Sequence, residues 1–162
     1  MTRLLPLASF LAFAWTLSGY ADERPSDRPS EARWAQVDLV TDGDTIVLMD
    51  RTRVRLYGID APKRDHPHSQ IVTATLESMV ARNVYLVEVD EDRYGRLVGR
   101  LYPSKGGYDI NASSVCAGYA RWYERYALDS QVIEECQVEA QRATKGVLGD
   151  EELVPPWAWR RR

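Results

Sequence analysis

The chain has 162 residues, of which 44% are hydrophobic, so it is long enough for one globular core and too short for two comfortable domains. Its formal net charge of −3 excludes a generally basic surface, because non-specific binding to polyphosphate normally depends on clustered Lys and Arg. Any contact with nucleic acid must therefore use positive charge that is local.

The first 21 residues have the layout of a secretory signal. One cation, Arg3, precedes an apolar stretch over Leu4–Leu17, and the segment ends on small residues. This layout predicts cleavage after Ala21. An uncleaved membrane anchor is the weaker alternative, because a membrane span needs about 20 apolar residues. Cleavage removes one Arg and no acid, which leaves a formal charge of −4. We expect a secreted or periplasmic monomer without stable membrane association.

Residues 22–33 are rich in charge, Pro and Ser and contain no large apolar side chain. Such a segment cannot bury enough surface to offset its ordering entropy, so it predicts a flexible linker. We assign residues 34–150 to the folded domain and residues 151–162 to a C-terminal tail.

The first half of the domain is predicted to be mostly β-structure. Residues 34–59 form three β-branched runs separated by turn residues, which predicts three consecutive antiparallel strands. Apolar residues near helical spacing predict a helix over 70–82, and alternation returns over 83–89. Residues 95–102 pair with that strand across a turn at Asp92.

The second half is predicted to be helical. Asp109 can cap a helix that stops at Gly118, and Asp129 can cap a longer one that ends near Gly146. Five short strands with an inserted helix predict a β-barrel with helices (α+β). The best match is an OB-fold, a five-stranded Greek-key barrel with about three helices, whose face and loops bind polynucleotides. Periodicity alone also allows another small α+β barrel.

The strongest chemical signal is the stretch 42–63, DGDTIVLMDRTRVRLYGIDAPK. Asp42, Asp44 and Asp60 are hard oxygen donors, and a barrel can bring the strand ends that carry Asp44 and Asp60 together. Carboxylates with carbonyl and water oxygens are what calcium binds, and the stretch lacks the soft ligands typical of zinc. Taken alone, the Asp-Gly pair indicates only a hairpin turn.

Two arginines accompany the carboxylates. Arg55 lies five residues before Asp60 on the same predicted strand, and Arg96 lies in the segment DRYGRLVGRLY. Guanidinium groups beside a metal are expected where a phosphodiester is held by two oxygens while negative charge builds on phosphorus. Judged singly, each arginine is also compatible with an ordinary exposed strand position.

Together these segments resemble a known family. Asp42–Pro62 and Asp92–Tyr102 are similar to the two signature segments of the staphylococcal nuclease (thermonuclease) family, and the similarity runs from about Gln36 to Leu148, including NASSVCAGYARWY. Spacing, order and flanking strands all agree, which makes the combination specific. The resemblance implies an OB-fold endonuclease that hydrolyses DNA and RNA with one calcium ion.

The resemblance also implies roles for individual residues. Asp44 and Asp60 would be the calcium carboxylates, with the backbone carbonyl of Ala61 as a further ligand. Arg55 and Arg96 would bind the scissile phosphate. Near the nucleotide-binding surface, the aromatic candidates are Tyr119 and Tyr123, for which packing is at least as good an interpretation.

One position departs from the family pattern. The family motif ends in Asp-x-Pro-Glu, where the Glu helps activate the attacking water, whereas this chain has Lys63 in place of the Glu. Protonated lysine has no lone pair to accept a proton, and a positioned general base is typically worth about 10²–10⁴ in rate. Activity should therefore be reduced, rerouted or absent.

Three explanations for Lys63 compete. Calcium-bound water can suffice at a slower rate, a group of the loop RDHPHS (Asp65, His66 or His68) can act as the base, or the barrel has become a catalytically inactive nucleic-acid-binding module. The polar composition of the loop favours plain exposed histidines.

The two cysteines, Cys116 and Cys136, fall on the last two predicted helices. In an oxidising exported compartment an even pair favours a disulfide, and the alternative is two buried free thiols.

The C-terminal tail ends in VPPWAWRRR. Its aromatic and basic residues are compatible with stacking on bases and contacting phosphates. For Trp157 we favour packing against the barrel.

Overall fold

The computed structural model describes residues 28–103, 107–128, 130–150 and 154–159. The predicted signal, most of the predicted linker and the three terminal arginines lie outside these ranges. Within them, no helix has both the length and the apolar character that a membrane crossing requires.

The described residues contain the predicted strands and helices in the predicted order, with the third predicted strand divided in two and a further short strand, a short C-terminal helix and two 3₁₀ turns added. The strands are β1 (Arg33–Asp42), β2 (Thr45–Leu48), β3 (Arg53–Leu56), β4 (Ile59–Asp60), β5 (Asn83–Glu91), β6 (Leu97–Pro103) and β7 (Arg121–Trp122). The α-helices are α1 (Ser69–Val80), α2 (Ile110–Cys116), α3 (Gln131–Arg142) and α4 (Pro156–Trp159), and Glu124–Tyr126 and Gly146–Gly149 form 3₁₀ turns.

Five strands close into a barrel in the order β1-β2-β3-β6-β5. The antiparallel pairs β1–β2, β2–β3 and β5–β6 confirm the predicted strand pairing, and β1 closes the barrel against β5. The barrel with its few helices confirms the predicted OB-type fold. Strand β3 also pairs with β6 in parallel, a contact that the sequence analysis did not predict.

The core fills the barrel and the space beneath α1 and α2. Alternate strand residues such as Val54, Leu56 and Leu86 are fully buried, and α1 adds Val72 and Leu76 from its inner face. Because β-strands alternate faces, the arginines at positions 53 and 55 are left on the opposite side from this core. The barrel wall therefore carries apolar residues inward and cations outward.

Helix α2 begins as predicted, with the Asp109 side chain accepting hydrogen bonds from the backbone N–H groups of Asn111 and Ala112. The expected limits of α3 were wrong. The N-cap is Ser130, without a side-chain capping bond, and the helix ends at Arg142 rather than near Gly146. It ends early because Thr144 adopts a left-handed conformation (φ 49°), which breaks the helical path. Asp129 lies outside the described residues.

Gly43 occupies a position where there is no room for a side chain. A Cβ atom there would lie 2.1 Å from Cγ1 of Val72 on α1 and 2.8 Å from Cβ of Ala61. The glycine therefore does more than form a turn, because it lets α1 approach the loop that carries Asp44.

We expect Gly43→Ala to lower the free energy of unfolding by about 1–3 kcal/mol, the usual cost of overpacking a tight core. Chemical denaturation of the two proteins measures this difference. Gly95→Ala is a useful comparison, because no heavy atom lies within 4 Å of a Cβ at Gly95 and only its positive φ of 71° opposes the change. Equal stability of Gly43→Ala and wild type would contradict the packing argument.

The structure joins Cys116 at the end of α2 to Cys136 on α3 in a disulfide, with Cα atoms 4.3 Å apart. The bridge would close a loop between residues separated by 20 positions, which stabilises by roughly 3 kcal/mol on chain-entropy grounds.

The protein purified without reductant should contain no titratable thiol after denaturation, and two thiols after reduction. Thiol titration in denaturant measures both states. Two reactive thiols in the unreduced protein would show that no disulfide forms.

Candidate active site

A short two-stranded ladder holds Asp60 at the edge of the barrel. Ile59 pairs with Trp122 and Asp60 with Arg121, so β4 is fixed against the chain that follows α2. Asp60 is 1% exposed. Arg121 lies beside Asp60 in the strand register, and burial lowers its pKa. The sequence analysis did not single out this cation.

Asp44 is the centre of the site. It follows the turn at Gly43 and is completely buried, and Asp42 Oδ1 accepts a hydrogen bond from its backbone N–H. Its Oδ2 accepts from the backbone N–H of Ala61 at 2.9 Å, and its Oδ1 accepts from the Thr45 hydroxyl at 2.9 Å. The carboxylate thus links the β1–β2 turn to the segment after β4.

Arg55 connects the two buried carboxylates. Its Nη2 atom lies 3.2 Å from Asp60 Oδ1, and its Nη1 atom lies 3.4 Å from Asp44 Oδ2. The same guanidinium donates to the carbonyl oxygens of Leu56 at 2.9 Å and Ile59 at 2.6 Å. These bonds fix the plane of the guanidinium, so its orientation does not depend on a substrate.

Lys63 reaches back into the carboxylate cluster. Its Nζ atom donates to Asp44 Oδ1 at 2.5 Å and to Asp42 Oδ1 at 3.2 Å. Its side chain is only 22% exposed. The ammonium group is therefore held between two carboxylates rather than extended into solvent.

These contacts shift the pKa values of Asp42 and Asp44 in opposite directions. Burial disfavours the charge on Asp44, but the Arg55 guanidinium and the Lys63 ammonium prevail and hold the pKa of Asp44 well below its usual range. Burial and the neighbouring charge of Asp44 raise the pKa of Asp42, against the opposing effect of Lys63. Asp44 therefore stays ionised to lower pH than Asp42.

Arg96 directly precedes β6, the strand that pairs with the strand of Arg55. Arg55 is paired with Val98 in the parallel register of β3 and β6, two residues beyond Arg96. The Arg96 Nε and Nη2 atoms each lie 2.7 Å from Asp92 Oδ2. Despite partial burial, these bonds lower the pKa of Asp92.

The loop after Lys63 is covered by α4. His66 is buried, its Nδ1 accepts from the backbone N–H of His68, and its ring lies 4.8 Å from that of Trp159. The expectation of an exposed His66 was wrong, because α4 packs Trp159 onto the loop. Burial lowers the pKa of His66. Asp65 accepts from Trp159 Nε1 at 3.0 Å.

The other candidate base and the aromatic candidates also have structural partners. His68 Nε2 lies 2.9 Å from Asp150 Oδ2. Tyr119 packs against the hydrophobic core. Tyr123 stacks on Trp157, with ring centroids 5.6 Å apart.

The donor chemistry of the site suits a hard cation, but its arrangement does not leave a place for one. Both oxygens of Asp44 already accept hydrogen bonds, and the Ala61 segment presents its N–H to Asp44. Across the described ranges, no three His, Cys, Asp or Glu side chains are grouped as metal ligands. Calcium takes six to eight oxygen ligands, so it does not fit while Lys63 is bound to Asp44.

An open cavity of about 510 Å³ adjoins the Lys63 side of the cluster. It is lined by Thr41, Asp42, Arg53, Lys63, Arg64 and Asp65. Three of these side chains are cationic and two are acidic, so the lining has a small net positive charge, although the protein as a whole is acidic. The local positive charge that binding to polyphosphate requires is therefore present at this site.

The closed five-stranded barrel defines a protein of the OB-fold class. Its site holds a fixed guanidinium between buried carboxylates, beside a cavity with a small net positive charge, and so suits anionic esters. Comparison with known proteins gives the family. The sequence model of the family described as "Staphylococcal nuclease homologue" matches residues 53–148, and the chain belongs to this family.

Curated relatives agree with this assignment. An "Uncharacterized endonuclease" of Escherichia coli O157:H7 is 39% identical over 166 residues, covering 100% of this chain and 99% of the relative. A "Micrococcal nuclease" of Shigella flexneri is 37% identical over 139 residues, covering 78% of this chain and 79% of the relative. "Protein ParB" of Escherichia coli is 36% identical over 146 residues, covering 79% and 81%.

Proposed function

We propose that the protein is an endonuclease that hydrolyses phosphodiester bonds of DNA or RNA, and that its activity is limited by Lys63. The proposal is supported above all by Arg55, a guanidinium fixed between Asp44 and Asp60 in a family whose relatives include a protein named micrococcal nuclease. Because both Nη atoms are engaged by protein acceptors, Arg55 acts on a phosphate as a fixed positive charge, which is what stabilisation of charge building on phosphorus requires.

The residues of the chain would divide the work as follows. Arg55 provides a fixed positive charge, Arg96 holds the phosphate oxygens, and Asp92 orients Arg96. Arg53 and Arg64 in the adjoining cavity hold flanking phosphates. This arrangement is sequence-independent, because phosphate contacts position a nucleic acid without reading its bases.

Calcium would bind only when the Lys63 ammonium has moved away from Asp44. Asp44 and Asp60 would then offer the carboxylates and Ala61 a carbonyl, and the bound ion would neutralise charge at the phosphate. A specific observation favours the alternative, a nucleic-acid-binding module without catalysis. Lys63 is bonded to Asp44, and Asp65, His66 and His68 are each engaged elsewhere.

The signal layout of residues 1–21 supports export as part of the same proposal, with the protein secreted or periplasmic. The disulfide suits an oxidising compartment.

Incubation with closed circular DNA and with circular RNA tests the proposal, because only an endonuclease can cut a molecule without ends. Calcium and a chelator are compared in parallel. Nicked and linear products are the expected result. Binding of both nucleic acids without any cut under either condition would replace the enzyme by the binding module.

A further inference from the structure

We infer that the Lys63 ammonium is the resident cation of this site. It supplies the positive charge that Asp42 and Asp44 require, and a divalent ion binds there only by displacing it. The inference rests on the proposed function only in taking calcium as the competing ion, and it is tested without nucleic acid.

The first support is the set of atoms that Lys63 contacts. Its Nζ lies 2.5 Å from Asp44 Oδ1 and 3.2 Å from Asp42 Oδ1, the two carboxylates that flank Gly43. An ammonium with three donors and a calcium ion select the same kind of ligand, anionic oxygen. Both therefore compete for the same oxygen of Asp44.

The second support is burial. Asp44 is completely buried and Lys63 is 22% exposed, so the pair is largely removed from water. A buried carboxylate without a counter-charge is costly, and removing one partner of such a pair is strongly destabilising. Arg55 lies farther from Asp44, at 3.4 Å, and it also serves Asp60.

The third support is the backbone that carries Lys63. The Ala61 N–H donates to Asp44 Oδ2 at 2.9 Å, and the Lys63 carbonyl accepts from the His66 N–H at 2.8 Å. The segment is thus fixed on both sides of Pro62. The backbone that carries Lys63 is therefore already ordered, so only side-chain entropy is lost when the ammonium binds to Asp44.

The test compares wild type with Lys63→Met, which keeps the aliphatic chain and removes the charge. Melting is followed by circular dichroism in chelator and in millimolar calcium, and affinity is measured by calorimetry with calcium alone. In chelator, Lys63→Met should melt about 5 °C or more below wild type, because Asp44 loses its nearest cation. Calcium should restore most of this loss and bind the variant at least about tenfold more tightly than wild type.

Lys145→Met is the matched control. Lys145 forms an exposed pair with Glu139 at 3.1 Å, and such pairs contribute little, so neither melting nor calcium response should change. The double variant Lys63→Met with Asp44→Asn should show no calcium response, which would locate the bound ion at Asp44. If Lys63→Met does not fold in chelator, Lys63→Gln replaces it, and calcium affinity decides.

Equal calcium affinity of wild type and Lys63→Met would overturn the inference, as would equal melting in chelator. These readings are independent of cleavage. A protein that cuts no nucleic acid but shows the predicted calcium response would refute the proposed enzyme and keep the resident cation.

Discussion

Lys63→Glu should raise the rate of cleavage in calcium by at least about tenfold, a cautious fraction of what a positioned general base usually contributes. Two effects act in the same direction. The new carboxylate can accept the proton of an attacking water, and the ammonium that now bonds to Asp44 is removed. The initial rate on circular DNA measures the change.

Lys63→Gln separates these two effects. It removes the ammonium without adding a base, so it should gain less rate than the glutamate variant. Lys63→Glu also places a third carboxylate beside Asp42 and Asp44, and like charges held close together repel. It should therefore melt below wild type in chelator. If wild type cuts well and Lys63→Glu gains nothing, another group activates the water, and the general-base argument for position 63 fails.

The barrel could be predicted from the sequence because its strands obey local rules. The sequence shows β-branched runs, turn residues between them and the capping residue Asp109. Each of these signals depends only on a few neighbouring residues. The parallel pairing of β3 with β6 was not predictable in this way, since it joins Val54 to Leu97 across α1 and β5. Only the closure of the whole sheet determines it.

The site was predictable as a set of residues but not as a set of contacts. The stretch 42–63 and the segment around Arg96 indicated the carboxylates and the arginines. Composition gave the wrong environment for His66, because its burial depends on Trp159 at the other end of the chain. The bond from Lys63 to Asp44 spans 19 positions and depends on how the β1–β2 turn meets β4. Lysine at the family's glutamate position indicated that the general base is missing. It did not indicate that the lysine ammonium binds Asp44.

Arg55→Lys should lower kcat by at least about 10²-fold, in wild type if it cleaves and otherwise in the Lys63→Glu background. The magnitude is what removal of one fixed donor to a charged transition state typically costs. Lysine keeps the charge but provides a single ammonium, whereas Arg55 contacts Asp44, Asp60 and two carbonyl oxygens through a planar fork.

Arg100→Lys is the matched control, because Arg100 is also a strand arginine and its guanidinium lies over the Tyr57 ring, 5.1 Å from the centroid, outside the carboxylate cluster. The rate of Arg100→Lys should stay within about twofold of the parent, since the substitution keeps the charge and lies outside the carboxylate cluster. The melting temperature of Arg55→Lys is measured alongside kcat, because Leu56 and Ile59 lose hydrogen-bond donors and some destabilisation is expected. A folded Arg55→Lys protein that keeps the parent kcat would show that the fixed guanidinium binds no developing charge. The phosphate would then have to be held by Arg96 or, from the cavity side, by Arg53 and Arg64.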